Sequence, residues 1–223
     1  MEIMVSSELC RMVPGFTAGF IRYRDIEVGP SPQMLKGRLQ LFQESLYFDL
    51  ESKSPTEFEG IEEWRQVFKQ TGKDPNRYRH SAEALYRRIK KQNYLQSVHS
   101  AIDVNNFFSL EYEVPIGIYD TDKLNGDIEI KVGAEQEEYN GLNGRLNSLH
   151  NLIVSSDSSG PFGSPFVDSE RTAVTTDTKN ALQIVYLRPS FGGEENMKLT
   201  ESLMKMFLQI HGGEGHYTII GCE

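Results

Sequence analysis

A chain of 223 residues, 38% apolar and 25% charged, is long and apolar enough to bury about 70% of its unfolded surface in a real core, and is not disordered by composition. Its net charge of −9 argues against broad, nonspecific nucleic-acid binding, which needs many Lys and Arg to displace counterions, but leaves room for a local basic patch. No run of about 18 apolar residues marks a membrane span, and the start MEIMVSSELCRMVPGF lacks the basic head and apolar core of a signal peptide, so the cytoplasm is the expected compartment.

The first predicted strand is TAGFIRYRDIEV, ending at Gly29 and Pro30. A helix follows, with Leu35, Leu39, Phe42 and Leu46 on one face. Ser54, Pro55 and Glu57 have the spacing of an N-cap, an N1 proline and a capping-box glutamate. The helix they open carries Ile61, Trp64, Val67 and Phe68 and stops at Gly72. After the loop KDPNRYRH comes the helix SAEALYRRIKK, with Ser81 as N-cap. Asp103 is placed to cap a short helix, which Pro115 and Gly117 end, and Asn125-Gly126 turns the chain into the next strand. GDIEIKVG, HNLIVSS and ALQIVYL read as strands. A long Gly/Ser/Pro/Asp-rich connection separates the last two, and loops of that length are often functional. A final helix, NMKLTESLMKMFLQIHGG, stops at the GGEG turn and leads into the strand HYTIIG. Helices cluster early and strands late, without regular alternation, which favours an α+β fold with a mostly antiparallel or mixed sheet.

Metal and cofactor chemistry has no foothold in these residues. The five histidines form no HExxH or comparable pair, and no GxSxG elbow or phosphate loop is present. Cys10 and Cys222 lie at opposite ends of the chain and read as two thiols rather than a disulfide framework. The dense basic cluster is Arg77, Arg79, Arg87, Arg88, Lys90 and Lys91, interleaved with Tyr78 and Tyr86. It suits either RNA phosphates and a stacked base or a solvated helix face. DSERT at 168–172 reads either as a local cap and turn or as a polar rim for a substrate. The adjacent amides Asn105 and Asn106 sit among apolar residues, where they need partners, from other loops or from a ligand.

IDVNNFFSLEYEVPIGIYDTDKLNGDIEIK resembles the B3/B4 module of the bacterial phenylalanyl-tRNA synthetase β chain. That module typically reads Val-Asp-Val-Thr-Asn-Tyr, then Pro-Leu-His-Ala-Phe-Asp-Leu-Asp-Lys-Leu, then a Gly-x-Ile strand. DSERTAVTTDTKNAL looks like the family's Gly-Gly-Glu-x-Ser-x-Val-Thr segment, and the resemblance is specific over about residues 79–187. EWRQVFKQTGKDPNRYR and RYRHSAEALYRRI look like the free-standing B3/B4-domain proteins. The resemblance implies one B3/B4-like domain over 1–223: an N-terminal strand and helices in 1–76, the signature region in 77–190, and a closing helix and strand in 191–223.

In the synthetase this module hydrolyses tyrosine wrongly esterified to tRNA. The resemblance therefore implies a stand-alone domain that binds aminoacyl-tRNA and deacylates mischarged tRNA in trans, without a cofactor and without aminoacylation, for which the chain is too short. Asn106 falls on the family's asparagine and Asn105 replaces its threonine. Glu170 falls on the acidic residue that reads the tyrosine hydroxyl, with Arg171 beside it. Tyr119 and Asp120 replace Phe-Asp. Gly117 stands where the family has the histidine of its editing pocket, Asp168 and Ser169 where it has a Gly-Gly pair, and His99 where it has an asparagine. Arg79, Arg87, Arg88, Lys90 and Lys91 are the expected RNA contacts. Two other readings stay open: a noncatalytic module for RNA or an amino-acid-like ligand, which the loss of histidine at Gly117 favours, and an interaction domain with a vestigial pocket.

Overall fold

The computed structural model describes residues 1–222. In chain order its elements are β1 (Ile3–Val5), α1 (Ser7–Met12), β2 (Thr17–Arg24), α2 (Gln33–Ser52), α3 (Glu59–Gln70), α4 (Ser81–Lys90), α5 (Ser100–Tyr112), β3 (Ile116–Asp120), β4 (Ile128–Val132), β5 (Glu138–Asn140), β6 (Leu146–Ser148), β7 (Ile153–Asp157), β8 (Gly160–Gly163), β9 (Ala181–Tyr186), α6 (Gly193–His211) and β10 (Glu214–Gly221). The fold is α+β, as its sequence pattern implies.

An antiparallel sheet in the order β10-β2-β9-β3 forms the middle layer. A second sheet, β1-β4-β7-β8, is mixed, because β1 runs parallel to β4. Every residue of β9 is buried, because the strand is covered on both faces; ALQIVY is apolar but for Gln183, whose amide is buried as well. Strand alternation sends Ile21, Tyr23, Ile118 and Val185 into one core with α2, α5 and α6. It sends Phe20, Tyr119, Ile184 and Tyr186 into the other, against Ile130, Val154 and Phe162 of the second sheet. The layers are thus helices, sheet, sheet.

The helical faces fall where the apolar spacing puts them. Leu35, Leu39 and Leu46 of α2 are buried, as are Ile61, Trp64, Val67 and Phe68 of α3. Gly72 follows the C-cap with φ +86°, a conformation that disfavours any side chain. Gly212 and Gly213, with φ of +65° and +74°, make the turn after α6. The long connection between β7 and β9 contains β8 and a 3₁₀ turn, Glu170–Thr172.

Several local expectations are corrected. The Ser54 capping box opens a 3₁₀ turn, Pro55–Glu57, and α3 begins two residues later. His80, not Ser81, caps α4: its Nδ1 accepts from the Glu83 amide at 3.3 Å while Nε2 faces the Ile61 carbonyl at 3.2 Å. Burial holds this imidazole neutral, pushing its pKa down to about 4, and the neutral tautomer supplies one acceptor and one donor for the two bonds. His99, not Asp103, caps α5, with Nδ1 accepting from the Ile102 amide. Asp103 is buried in the first turn instead, where Ser31, Ser97 and the Val98 amide donate to it. The two thiols are a correction as well: Cys10 and Cys222 form a disulfide, their Cα atoms 5.2 Å apart. The pairing follows from topology, because β10 lies along β2 and ends beside the segment joining α1 to β2, where Cys222 donates its amide to the Phe16 carbonyl.

Candidate functional site

Gly117 and Tyr119 lie two residues apart on β3 and face the second sheet. A Cβ placed on Gly117 would stand 2.0 Å from the Tyr119 hydroxyl oxygen, and one on Gly163 of β8 would stand 2.2 Å from it. The tyrosine ring therefore slides between two bare backbones, one from each sheet. Its hydroxyl donates to Asp168 Oδ1 at 2.7 Å, and its ring packs edge-on against Phe162. Two more buried phenols complete the cluster. The Tyr139 hydroxyl meets Ser164 Oγ and the Val167 carbonyl, and the Tyr186 hydroxyl meets Ser155 Oγ at 3.0 Å. Burial pushes the Asp168 carboxyl up to about 7, against the Tyr119 hydroxyl and the Ser164 amide, which favour its ionised form. Burial, then the Asp168 charge, drives all three phenols well above the ordinary tyrosine range.

Beside this cluster opens a cavity of about 510 Å³, lined by Glu138, Tyr139, Ser159, Ser169, Glu170 and Arg171. The 3₁₀ turn sets its wall: Ser169 caps the turn by accepting from the Arg171 amide at 3.1 Å. Arg171 is anchored. Its guanidinium makes a two-pronged pair with Asp157, at 2.9 and 3.1 Å, and also donates to the carbonyls of Lys123 and Gly160. Burial alone would raise the Asp157 carboxyl, but Arg171 and the Asn125 and Ser159 amides outweigh it and hold it below the ordinary range. Glu170 is exposed in the cavity wall, and among the described residues its carboxylate makes no ion pair.

The structure thus brings Gly117, Tyr119, Asp168, Glu170 and Arg171 together. It sets Asn105 and Asn106, on α5, and His99, at its N-cap, elsewhere, across the middle sheet. Asn105 Oδ1 accepts from Gln183 Nε2, and Gln183 Oε1 accepts from the Tyr23 hydroxyl at 2.7 Å, so buried amide and phenol satisfy one another. Asn106 is half-buried. His99 is partly buried, which lowers its pKa against the opposing pull of Asp103 and the Val174 carbonyl.

The basic helix α4 is only partly free. Glu83, fully buried, pairs with Arg65 at 3.1 Å and Arg87 at 2.8 Å, with Arg79 at 3.9 Å. Lys90 donates to the carbonyls of Leu50 and Lys53 at the end of α2. Arg88 and Lys91 are exposed.

Tyr139, Asp157, Gly163, Ser164 and Tyr186 were not singled out in the sequence. Gly163 had a signal, since a glycine flanked by Phe and Ser in a loop marks either a turn or a close backbone approach. Among the described residues no helix is long and apolar enough to cross a membrane.

The family described as the B3/4 domain matches residues 63–192. Over 213 residues, 96% of each chain, the sequence is 37% identical to the uncharacterized protein YhzB of Bacillus subtilis (strain 168). Over 130 residues it is 28% identical to the phenylalanine–tRNA ligase beta subunit of Fusobacterium nucleatum, a match covering 57% of this chain and 16% of the ligase subunit. An N-terminal fragment of the phenylalanyl-tRNA synthetase β-subunit from Pyrococcus horikoshii aligns with 96% of this chain and 50% of that one, at a TM-score of 0.48 and 18% identity.

Proposed function

The chain belongs to the B3/4 domain family, and from that premise we propose that it is a stand-alone module that binds aminoacyl-tRNA and hydrolyses the ester of a mischarged one in trans. One observation carries this reading. The segment matched to the family's acidic motif forms the wall of the cavity, with Glu170 exposed in it and Ser169 and Arg171 fixing the turn. The need for such a site is physical. An apolar pocket rejects the same ring bearing one extra hydroxyl by only about 10², whereas a second site that bonds that hydroxyl selects the error.

In the proposed reaction, water attacks the ester carbonyl, the carbon–oxygen bond to the terminal ribose breaks, and the ribose hydroxyl leaves with a proton. Glu170 accepts a hydrogen bond from the side chain of the acyl group. The Asp168 carboxyl, next to the lining Ser169, is engaged by the Tyr119 hydroxyl and the Ser164 amide. Aminoacylation is not proposed, because the match covers only 16% of the ligase subunit.

The second reading, binding without turnover, is favoured by the packing at Gly117. Tyr119 fills the space there, so no histidine fits at that position without displacing the ring. Deacylation of a panel of correctly and wrongly charged tRNAs by the purified protein separates the two. Faster loss of a mischarged ester than in buffer supports the enzyme. Binding of an ester analogue without hydrolysis supports the module.

A further inference from the structure

Two concavities of about 330 and 310 Å³ lie on the exposed end of the middle sheet and share Arg22 and Arg24 as walls. The two arginines are two residues apart on β2, so both project to the same side, about 6.5 Å apart along the strand. On the neighbouring β10, His216 lies opposite Arg22 and Glu214 opposite Arg24. All four side chains are exposed. Among the described residues no ion pair joins either arginine to a carboxylate. The hydrogen bond found for the Arg22 guanidinium goes to the Met1 carbonyl, at 2.8 Å. This differs from α4, where Glu83 and backbone carbonyls already engage much of the positive charge.

The first concavity is also lined by Thr121 and Asp122. These residues belong to the 3₁₀ turn Thr121–Lys123, and the Lys123 carbonyl accepts from Arg171. Arg171 lines the Glu170 cavity. One short turn therefore touches both, its Thr121 and Asp122 lining the arginine groove and its Lys123 carbonyl holding the Arg171 of the cavity wall. Asp122, the acidic group of the turn, accepts from the Asn180 side-chain amide at 3.3 Å.

We propose that the β2–β10 face carrying Arg22, Arg24 and His216 holds the phosphates of the single-stranded 3′ end of an RNA whose terminal ester enters the Glu170 cavity. The proposal rests on the reading of the cavity as a site for aminoacyl-tRNA. Guanidinium forks match phosphate oxygens two at a time. The exposed imidazole beside them offers a flat surface on which an unpaired base stacks. The two guanidiniums stand beside two carboxylates, Glu214 and Asp122, so the face suits individual phosphates placed at the arginines rather than polyanions in general.

The test measures binding of an acceptor-stem hairpin with its single-stranded 3′ end at two salt concentrations. Proteins compared are the unaltered chain, Arg22→Glu/Arg24→Glu, and the charge-matched control Arg38→Glu/Lys198→Glu, whose side chains are exposed on α2 and α6. The β2 variant is expected to bind on the order of tenfold more weakly, with a salt slope lower by about 0.7 per lost contact. Its melting temperature is expected to stay unchanged, and the α2/α6 control to bind as the unaltered protein does. Should the β2 charge reversal perturb folding, Arg22→Ala/Arg24→Ala gives the same comparison with smaller changes. Binding unaffected by the β2 substitutions, or lost equally in both variants, overturns the assignment of this face and leaves the reading of the cavity standing. Displacement by polyglutamate as readily as by unlabelled RNA overturns it too, in favour of an acidic peptide. No RNA binding by the unaltered protein overturns both.

Discussion

The Tyr119 hydroxyl occupies the space that a side chain on Gly117 would need, 2.0 Å from where its Cβ would stand. The glycine and the ring are one packing unit: the bare backbone of β3 exists for a phenol that bridges the two sheets. Gly117→Ala is therefore expected to destabilise the protein by about 1–3 kcal/mol or more, the usual cost of overpacking a dense core. The neighbouring atoms cannot yield cheaply, since the ring is also clamped by Gly163 and Phe162. Combining it with Tyr119→Val is expected to cost less than the two separate losses summed, because removing the ring removes the collision. Urea unfolding of the four proteins measures this. Strict additivity would show that the alanine is accommodated by another route.

Asp168 gives a pH dependence of a definite sign. Its carboxyl titrates near 7 in the folded chain and near 3.8 when unfolded. The folded state thus holds a proton that the unfolded state has released across that window. The stabilisation is complete below about 4 and is lost as pH rises through 7, at up to ~1.4 kcal/mol per pH unit. His80, lowered to about 4 from 6.5, acts oppositely, with stability falling as pH drops below 6.5. Asp168→Asn keeps the acceptor for Tyr119, leaves His80 alone and removes the first effect. Its stability relative to the unaltered protein is expected to grow from pH 4 to 7 and then level off. A difference that stays flat from pH 4 to 8 would mean the carboxylate ionises in place.

The disulfide joins residues 212 positions apart, the largest loop this chain can close with its cysteines. A cross-link over so long a loop restricts the unfolded chain strongly, and engineered and natural examples stabilise by about 2–4 kcal/mol. Reductant or Cys222→Ser is expected to lower stability by that amount and leave the middle sheet intact, since β10 keeps its full register with β2. Peptide mapping without reductant identifies the linked pair. Two rapidly alkylated thiols in the native protein, with melting unchanged by reductant, would exclude the bond.

How much of this was legible in the sequence depended on how far apart the partners lie. ALQIVYL read as a strand, and the faces of α2 and α3 followed from spacing alone. The caps were misassigned because His80 and His99 do the work of the usual Ser or Asp. An imidazole accepts at a helix start only when neutral, and burial, which secures that for His80, is a tertiary property. Asn105 was legible as an amide in need of a partner, but that partner, Gln183, is 78 residues away. The same distance hid the site's second half. Tyr119 and Asp168, 49 residues apart, meet only when the second sheet closes on the first. Glu170 was legible through its place in a motif, and no local pattern would have shown which neighbour Arg171 prefers.

Glu170 therefore carries the sharpest expectation. Two structural partners would compete for its carboxylate: the neighbouring Arg171, or the turn at Thr172. The fold removes both. Arg171 is held by Asp157 through two nitrogens, and Ser169 caps the turn. Thr172 points its hydroxyl at the Phe162 carbonyl. Exposed and unpaired among the described residues, Glu170 contributes little to folding, so Glu170→Ala should change stability by no more than about 0.5 kcal/mol. A charge-assisted hydrogen bond to a ligand hydroxyl is worth roughly 1.5–3 kcal/mol, or about one to two decades of preference. Dissociation constants for non-hydrolysable tyrosyl and phenylalanyl ester analogues, measured on the same preparation as the melting temperature, separate the roles. The expected result is an eroded preference for the tyrosyl analogue with melting unchanged. A lowered melting temperature with the preference intact would make Glu170 a structural residue. The acyl side chain would then have to be read by the other polar groups of the wall, Glu138, Ser159 and Ser169.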